Sequence, residues 1–120
     1  MKVTIDFALP ILAFNGKPIR TKDTDADGKE IDRDFILRDV AVNAVLFEGQ
    51  GEKLDGMEKV RRARLADRIY GAKEPVKIDS DDLKLIKANI AKAYNIYTTG
   101  RAWELLDPEE PEEPETPEPK

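Results

Sequence analysis

The segment PEEPEEPETPEPK at 108–120 divides the chain before any motif is considered. It has no apolar side chain large enough to build a core, and its prolines remove amide donors and disfavour helix. Such a stretch is expected to be disordered with polyproline-II character. Its six glutamates and single lysine account for the whole formal charge of −5. Residues 1–107 keep 19 basic and 19 acidic side chains, so the body is electrically balanced. The expected organisation is one domain at 1–107 followed by an acidic Pro/Glu-rich tail at 108–120. Solubility through self-repulsion is the simplest use of that tail. A docking peptide for a basic groove is the sharper one, although no PxxP flanked by basic residues marks an SH3 ligand.

The chain has no cysteine and no histidine. That removes disulfides, Cys/His zinc sites, catalytic thiols and Ser-His or Cys-His machinery. No apolar run approaches the ~20 residues that cross a bilayer, and the first residues lack the apolar stretch of a signal peptide. The expected setting is intracellular, with no membrane and no cofactor.

Hydrophobic periodicity gives an α+β reading. Val3, Ile5 and Phe7 alternate with polar residues as a half-buried strand does. Asn15-Gly16 suits a type I′ hairpin turn, and the polar run from Thr21 to Asp34 reads as a loop. Phe35–Phe47 has helical spacing, with Asp32 or Asp34 as its cap. A second helix runs from about Gly56 to Tyr70, capped by Asp55 and stopped by Gly71 in the left-handed conformation. Val76–Ile78 reads as a short strand. A third helix, capped by Asp79 or Ser80, carries Leu83, Ile86, Ile90, Tyr94 and Tyr97 to a break at Thr98–Gly100. A short last helix spans Arg101–Leu106. The expected fold is a small N-terminal antiparallel hairpin or sheet packed by three to four helices.

Two patterns carry candidate chemistry. Asp23, Asp25, Asp27 and Gly28 match the first half of an EF-hand loop, with Lys29 offering a carbonyl and Asp34 at position 12. Glu30 stands where an apolar residue belongs and no amphipathic helix precedes, so only a stand-alone calcium-binding interaction loop remains. A solvated turn explains the same residues. The other pattern is Arg61, Arg64 and Arg68 at i, i+3, i+7 on the second helix, flanked by Lys59 and Arg62. Arginine forks suit carboxylate or phosphate, which makes this face the candidate partner-binding site. A nucleic-acid regulator would use the same face, but the balanced body disfavours it. Local pairing with Glu58 or Asp67 explains the stripe without a partner. The acidic tail folding over that stripe is a third use of the same charges. No phosphate-binding glycine loop is present, and Trp103 reads as packing, so nothing marks an enzyme.

Four segments in order, NGKPI, FILRDVAVNAVL, GMEKVRRARLADRIYGA and KIDSDDLKLIKANIAKAYNIYTTGRAWELLD, resemble small, largely uncharacterised proteins of tailed bacteriophages and prophages. In overall character, acidic and helical with a trailing C-terminus, the chain is similar to tail-assembly chaperones. The resemblance implies a non-enzymatic accessory or assembly protein, in the host-cell cytoplasm or associated with the virion, that binds a larger phage or host protein. It carries over no catalytic residue.

Overall fold

The computed structural model describes residues 2–49 and 51–106. The expected disorder of 108–120 lies outside them. The order of elements is β1 (Lys2–Ile5), β2 (Arg20–Thr24), β3 (Glu30–Asp34), α1 (Leu37–Leu46), α2 (Gly56–Tyr70), β4 (Val76–Asp79), α3 (Ser80–Ala93) and α4 (Ile96–Leu106). This is the expected α+β architecture, with four helices.

β1 pairs antiparallel with β4, in the register Val3 to Ile78 and Ile5 to Val76. Directly opposed residues share a face. Val3, Ile5, Val76 and Ile78 therefore turn together onto the core, while Thr4 and Lys77 face outward. α1 is the central helix and buries Leu37, Val40, Ala41, Ala44 and Val45. α2 covers it with Leu65, Ala66 and Ile69, and α3 with Ile86, Asn89 and Ile90. α4 closes the core with Ala102 and Leu106. Asn89 is the buried polar side chain of the described core, and its amide donates to Ala44 O at 3.0 Å, at the C-terminal end of α1. That carbonyl lies in the last turn, where it also accepts from Phe47 N at 3.1 Å, so the Asn89 amide supplies its second donor.

Five local expectations need correction, the cap of α1 among them. Thr21–Asp34 is not a loop: β2 and β3 form an antiparallel ribbon with Arg20 opposite Asp34 and Lys22 opposite Asp32. Ion pairs at 2.6 and 3.1 Å join those residues, so charge complementarity replaces apolar alternation as the cross-strand signal. The Asn15-Gly16 hairpin exists, but its hydrogen bonds run from Gly16 N to Ala13 O and from Ala13 N to Lys17 O. The turn is Ala13–Gly16, with Gly16 at φ 83° as a bulge residue, rather than a two-residue type I′ turn. Asp25–Lys29 repeats that pattern with Gly28 at φ 84°. Gly71 ends α2 at φ −85°, so it is not a left-handed cap. The break before the last helix falls at Tyr94–Asn95, not at Gly100. Tyr94 is extended, and the Asn95 side chain accepts from Thr98 N at 2.9 Å as a helix cap.

The caps of α2 and α3 are the expected ones. Asp55 accepts from Glu58 N at 2.8 Å and Asp79 from Asp82 N at 2.9 Å. α1 is different: neither Asp32 nor Asp34 caps it, and Asp39 in its first turn reaches back to Ile36 N at 3.0 Å. Three backbone segments close on one another ahead of α1. Ile11 N donates to Phe35 O, Phe35 N to Ile19 O, and Ile19 N to Ile11 O, at 2.7–2.9 Å. This ring fixes the first hairpin, and with it Phe14, relative to the helices.

Candidate functional site

The arginine stripe of α2 does not stand free. Arg61 donates to Glu58 at 2.9 Å and to Asp82, in the first turn of α3, at 2.6 Å. Burial works against its charge, and the Asp82 hydrogen bond with the Glu58 charge outweighs that, so its pKa is raised. Arg68 reaches the carbonyl of Lys77 on β4 at 3.3 Å. Arg64 has no ion pair or hydrogen bond among the described residues. Arg62 turns inward: its side chain is 11% exposed, its Nε meets Glu58 at 2.8 Å, and its Nη1 is buried without a hydrogen bond.

Between α2 and α3, Arg61 and Arg62, but not Arg64 or Arg68, line a shallow cleft of about 690 Å³. Glu58, Asp79, Asp81 and Asp82 face Arg61, Arg62 and Lys84 there. The cleft has no basic surplus, which a phosphate backbone requires. A smaller cleft of about 440 Å³ sets Arg38 and Lys73 against Asp6 and Glu74, again with balanced charge.

Glu58 is held below its ordinary value of 4.5, first by the Arg62 hydrogen bond and then by the charges of both arginines. Glu52 is lowered by the Gly49 N–H, Lys92 and Arg62. A carboxylate with a lowered folded pKa stabilises the fold above its unfolded value and loses that contribution as pH falls through the folded one. The thermal midpoint is therefore expected to stay level down to about pH 5 and fall below about 4.5. Glu58→Gln should lower the midpoint at neutral pH and flatten the acid slope; calorimetry across that range reads both.

The Asp23–Gly28 segment is the end of β2 and the ribbon's turn. Asp23 accepts from Arg33 and Thr24 N, and Asp25 from the amides of Asp27 and Lys29. Lys29 O accepts from Asp25 N, and Asp34 pairs with Arg20. Among the described residues no group of three or more acidic side chains is gathered as a metal site.

The most exposed apolar surface lies elsewhere, where the first hairpin meets α4. Phe14 at the turn is 88% exposed, and Ile96 at the start of α4 is 93% exposed. The Phe14 and Tyr97 rings stand 4.4 Å apart, tilted by 40°. Tyr97 donates its hydroxyl to Leu12 O at 2.6 Å and accepts from Arg101 Nε at 2.8 Å, so it is locked between hairpin and helix. Ile96, Tyr97, Gly100, Arg101 and Glu104 line a hollow of about 240 Å³. Trp103, read from sequence as packing, remains partly exposed, with Lys87 Nζ 5.3 Å from its ring centre.

Comparison with protein-family models, curated proteins and solved structures returns no match.

Sequence reasoning found Arg61, Arg64 and Arg68 but missed Phe14 and Ile96. The signal available was Asn95 with Thr98 three residues on, which restarts the helix early and turns Ile96 outward. Gly100 then falls in a helix interior, where glycine is about 1 kcal/mol worse than alanine. A Cβ added there would meet nothing within 4 Å, so packing does not require the glycine. Gly100→Ala is expected to raise the unfolding free energy by about 1 kcal/mol, measured by urea denaturation.

Proposed function

We propose that the protein is a non-enzymatic phage-encoded accessory or assembly factor that holds a larger phage or host protein, in the manner of a tail-assembly chaperone. The phage setting, host cytoplasm or virion, rests on the resemblance of the four sequence segments. The binding role rests on one observation: Phe14 and Ile96 stand almost fully exposed around a locked Tyr97–Arg101 pair. Aromatic residues and arginine dominate binding hot spots, and a rigid platform loses little entropy on association. No helix among the described residues is long and apolar enough to cross a membrane, so a protein partner rather than an integral bilayer role suits these helices.

The test is recovery of a stoichiometric partner from phage-infected or prophage-induced cells, followed by affinity measurements on variants. Phe14→Ser with Ile96→Ser is expected to weaken binding by about 30-fold, the equivalent of ~2 kcal/mol. Arg64→Ala is expected to matter less, as a rim charge does. A larger loss from Arg64→Ala or Arg68→Ala would move the site to α2. Repeated recovery of no stoichiometric partner would count against the binding role itself.

A further inference from the structure

We propose that the hollow on α4 is a docking groove for an acidic, proline-periodic peptide, and that in the free protein its occupant is the chain's own segment 108–120. The proposal rests on the reading of this face as the binding surface and names what covers it before a partner arrives.

The tail has a period that charge alone does not explain. Prolines recur at 108, 111, 114 and 117. A polyproline-II helix has about three residues per turn and rises about 3.1 Å per residue. In that conformation all four prolines share one edge, repeating about every 9 Å; a second edge is all glutamate, and the third carries Glu110, Glu113, Thr116 and Pro119. Recognition of such a ligand takes aromatic surfaces for the proline edge and cations for its flanks.

α4 presents both. At about 100° per residue, Tyr97 and Arg101 form one flank of its outward face and Ile96 and Trp103 the other. Gly100 lies between them and leaves the notch open. Phe14 extends the aromatic surface from the hairpin. Arg101 lies 5.1 Å from the Tyr97 ring centre, and Lys87 is placed likewise over Trp103. Glu104 is the opposing charge, and it stands 3.7 Å from Arg101. Tyr97 and Trp103 are separated by a rise of about 9 Å along the helix, the same as the proline repeat.

Reach and concentration agree. The tail follows α4 directly, and Gly100 lies about 9 Å back from Leu106 along the helix. Thirteen residues of polyproline II span about 40 Å, ample for a reversal near Pro108 and a return along the helix. A tethered peptide sees its site at an effective concentration on the order of millimolar, so a weak contact suffices.

The experiment uses the full chain. With no native cysteine, Glu115→Cys supplies one thiol for a nitroxide label. Amide spectra are expected to show selective loss of intensity at Phe14, Ile96, Tyr97, Gly100 and Arg101, unchanged on dilution. Pro111→Ser with Pro114→Ser, which keeps every glutamate and leaves the folded body untouched, is expected to abolish that loss. Loss centred on Arg64 and Arg68 would overturn the proposal in favour of charge alone. Loss that vanishes on dilution would overturn it in favour of a second copy. Loss that persists in the proline variant, or no selective loss, overturns it outright. None of these outcomes bears on partner affinity in the Phe14/Ile96 variant, so the binding surface and its tail occupant stand or fall separately.

Discussion

Ile90→Ala is expected to destabilise the protein by about 2–5 kcal/mol, a large share of the roughly 5–15 kcal/mol that holds a domain of this size folded. Ile90 is fully buried on α3, in a core that also holds Ile86, Val40 and Leu106. Removing its outer carbons loses their transfer from water and leaves a cavity. The helices packed against α3 have little with which to fill it. Ala41 and Ala44 of α1 and Ala102 of α4 are buried small residues, and alanine has no rotamer to swing into a void. Ile96→Ala is the control. The same change six positions later, at a side chain in solvent, is expected to stay within about 0.5 kcal/mol. Urea midpoints of the two variants separate them. Equal losses would mean that the break at Tyr94–Asn95 is misplaced and that Ile96 faces the core.

That pair of isoleucines shows what the sequence displays and what it hides. Local signals sit close together in the chain and are legible. Asp55 and Glu58 start α2, Asp79 and Asp82 start α3, and apolar spacing gives the inward faces of both. Tyr94 and Tyr97 keep helical spacing across the break, so periodicity carries straight through it and Gly100 is misread as the stop. The β2–β3 ribbon is hidden for another reason. Two of its five cross-strand pairs are opposite charges, Arg20 with Asp34 and Lys22 with Asp32, and these show as pairs only once the register is known. The candidate sites divide in the same way. The arginine spacing on α2 is visible, but Asp82, which takes up Arg61, arrives from another helix. Phe14 meets Tyr97 only because the backbone ring of Ile11, Ile19 and Phe35 fixes the hairpin against α4. No local pattern encodes a contact over that separation.

Arg33→Ala is the other change with a large expected effect, about 2–3 kcal/mol, since hydrogen bonds to charged groups contribute roughly 1.5–3 kcal/mol. The guanidinium grips Asp39 with both terminal nitrogens, at 2.8 and 2.9 Å, while its Nε meets Asp23 at 2.7 Å. The hydrogen bond to Asp39 is the leading reason that the pKa of Arg33 is raised. Asp39 also holds Ile36 N, so one fork ties the β2–β3 ribbon to the first turn of α1. The Asp39 side chain is only 14% exposed, and without Arg33 its charge is left in a partly dry site. Arg33→Lys keeps the charge but cannot make the two-pronged contact, so it should recover only part of the loss. A double-mutant cycle with Asp39→Asn should give coupling above about 0.5 kcal/mol. Amide exchange should quicken across 20–34 while α3 keeps its protection, because the ribbon has little buried apolar area of its own. Arg20→Ala offers the comparison, since its pair with Asp34 lies in solvent, where such pairs contribute about 0–1 kcal/mol. If Arg20→Ala cost as much as Arg33→Ala, the ribbon would be held by its own ladder and not by its anchor on α1.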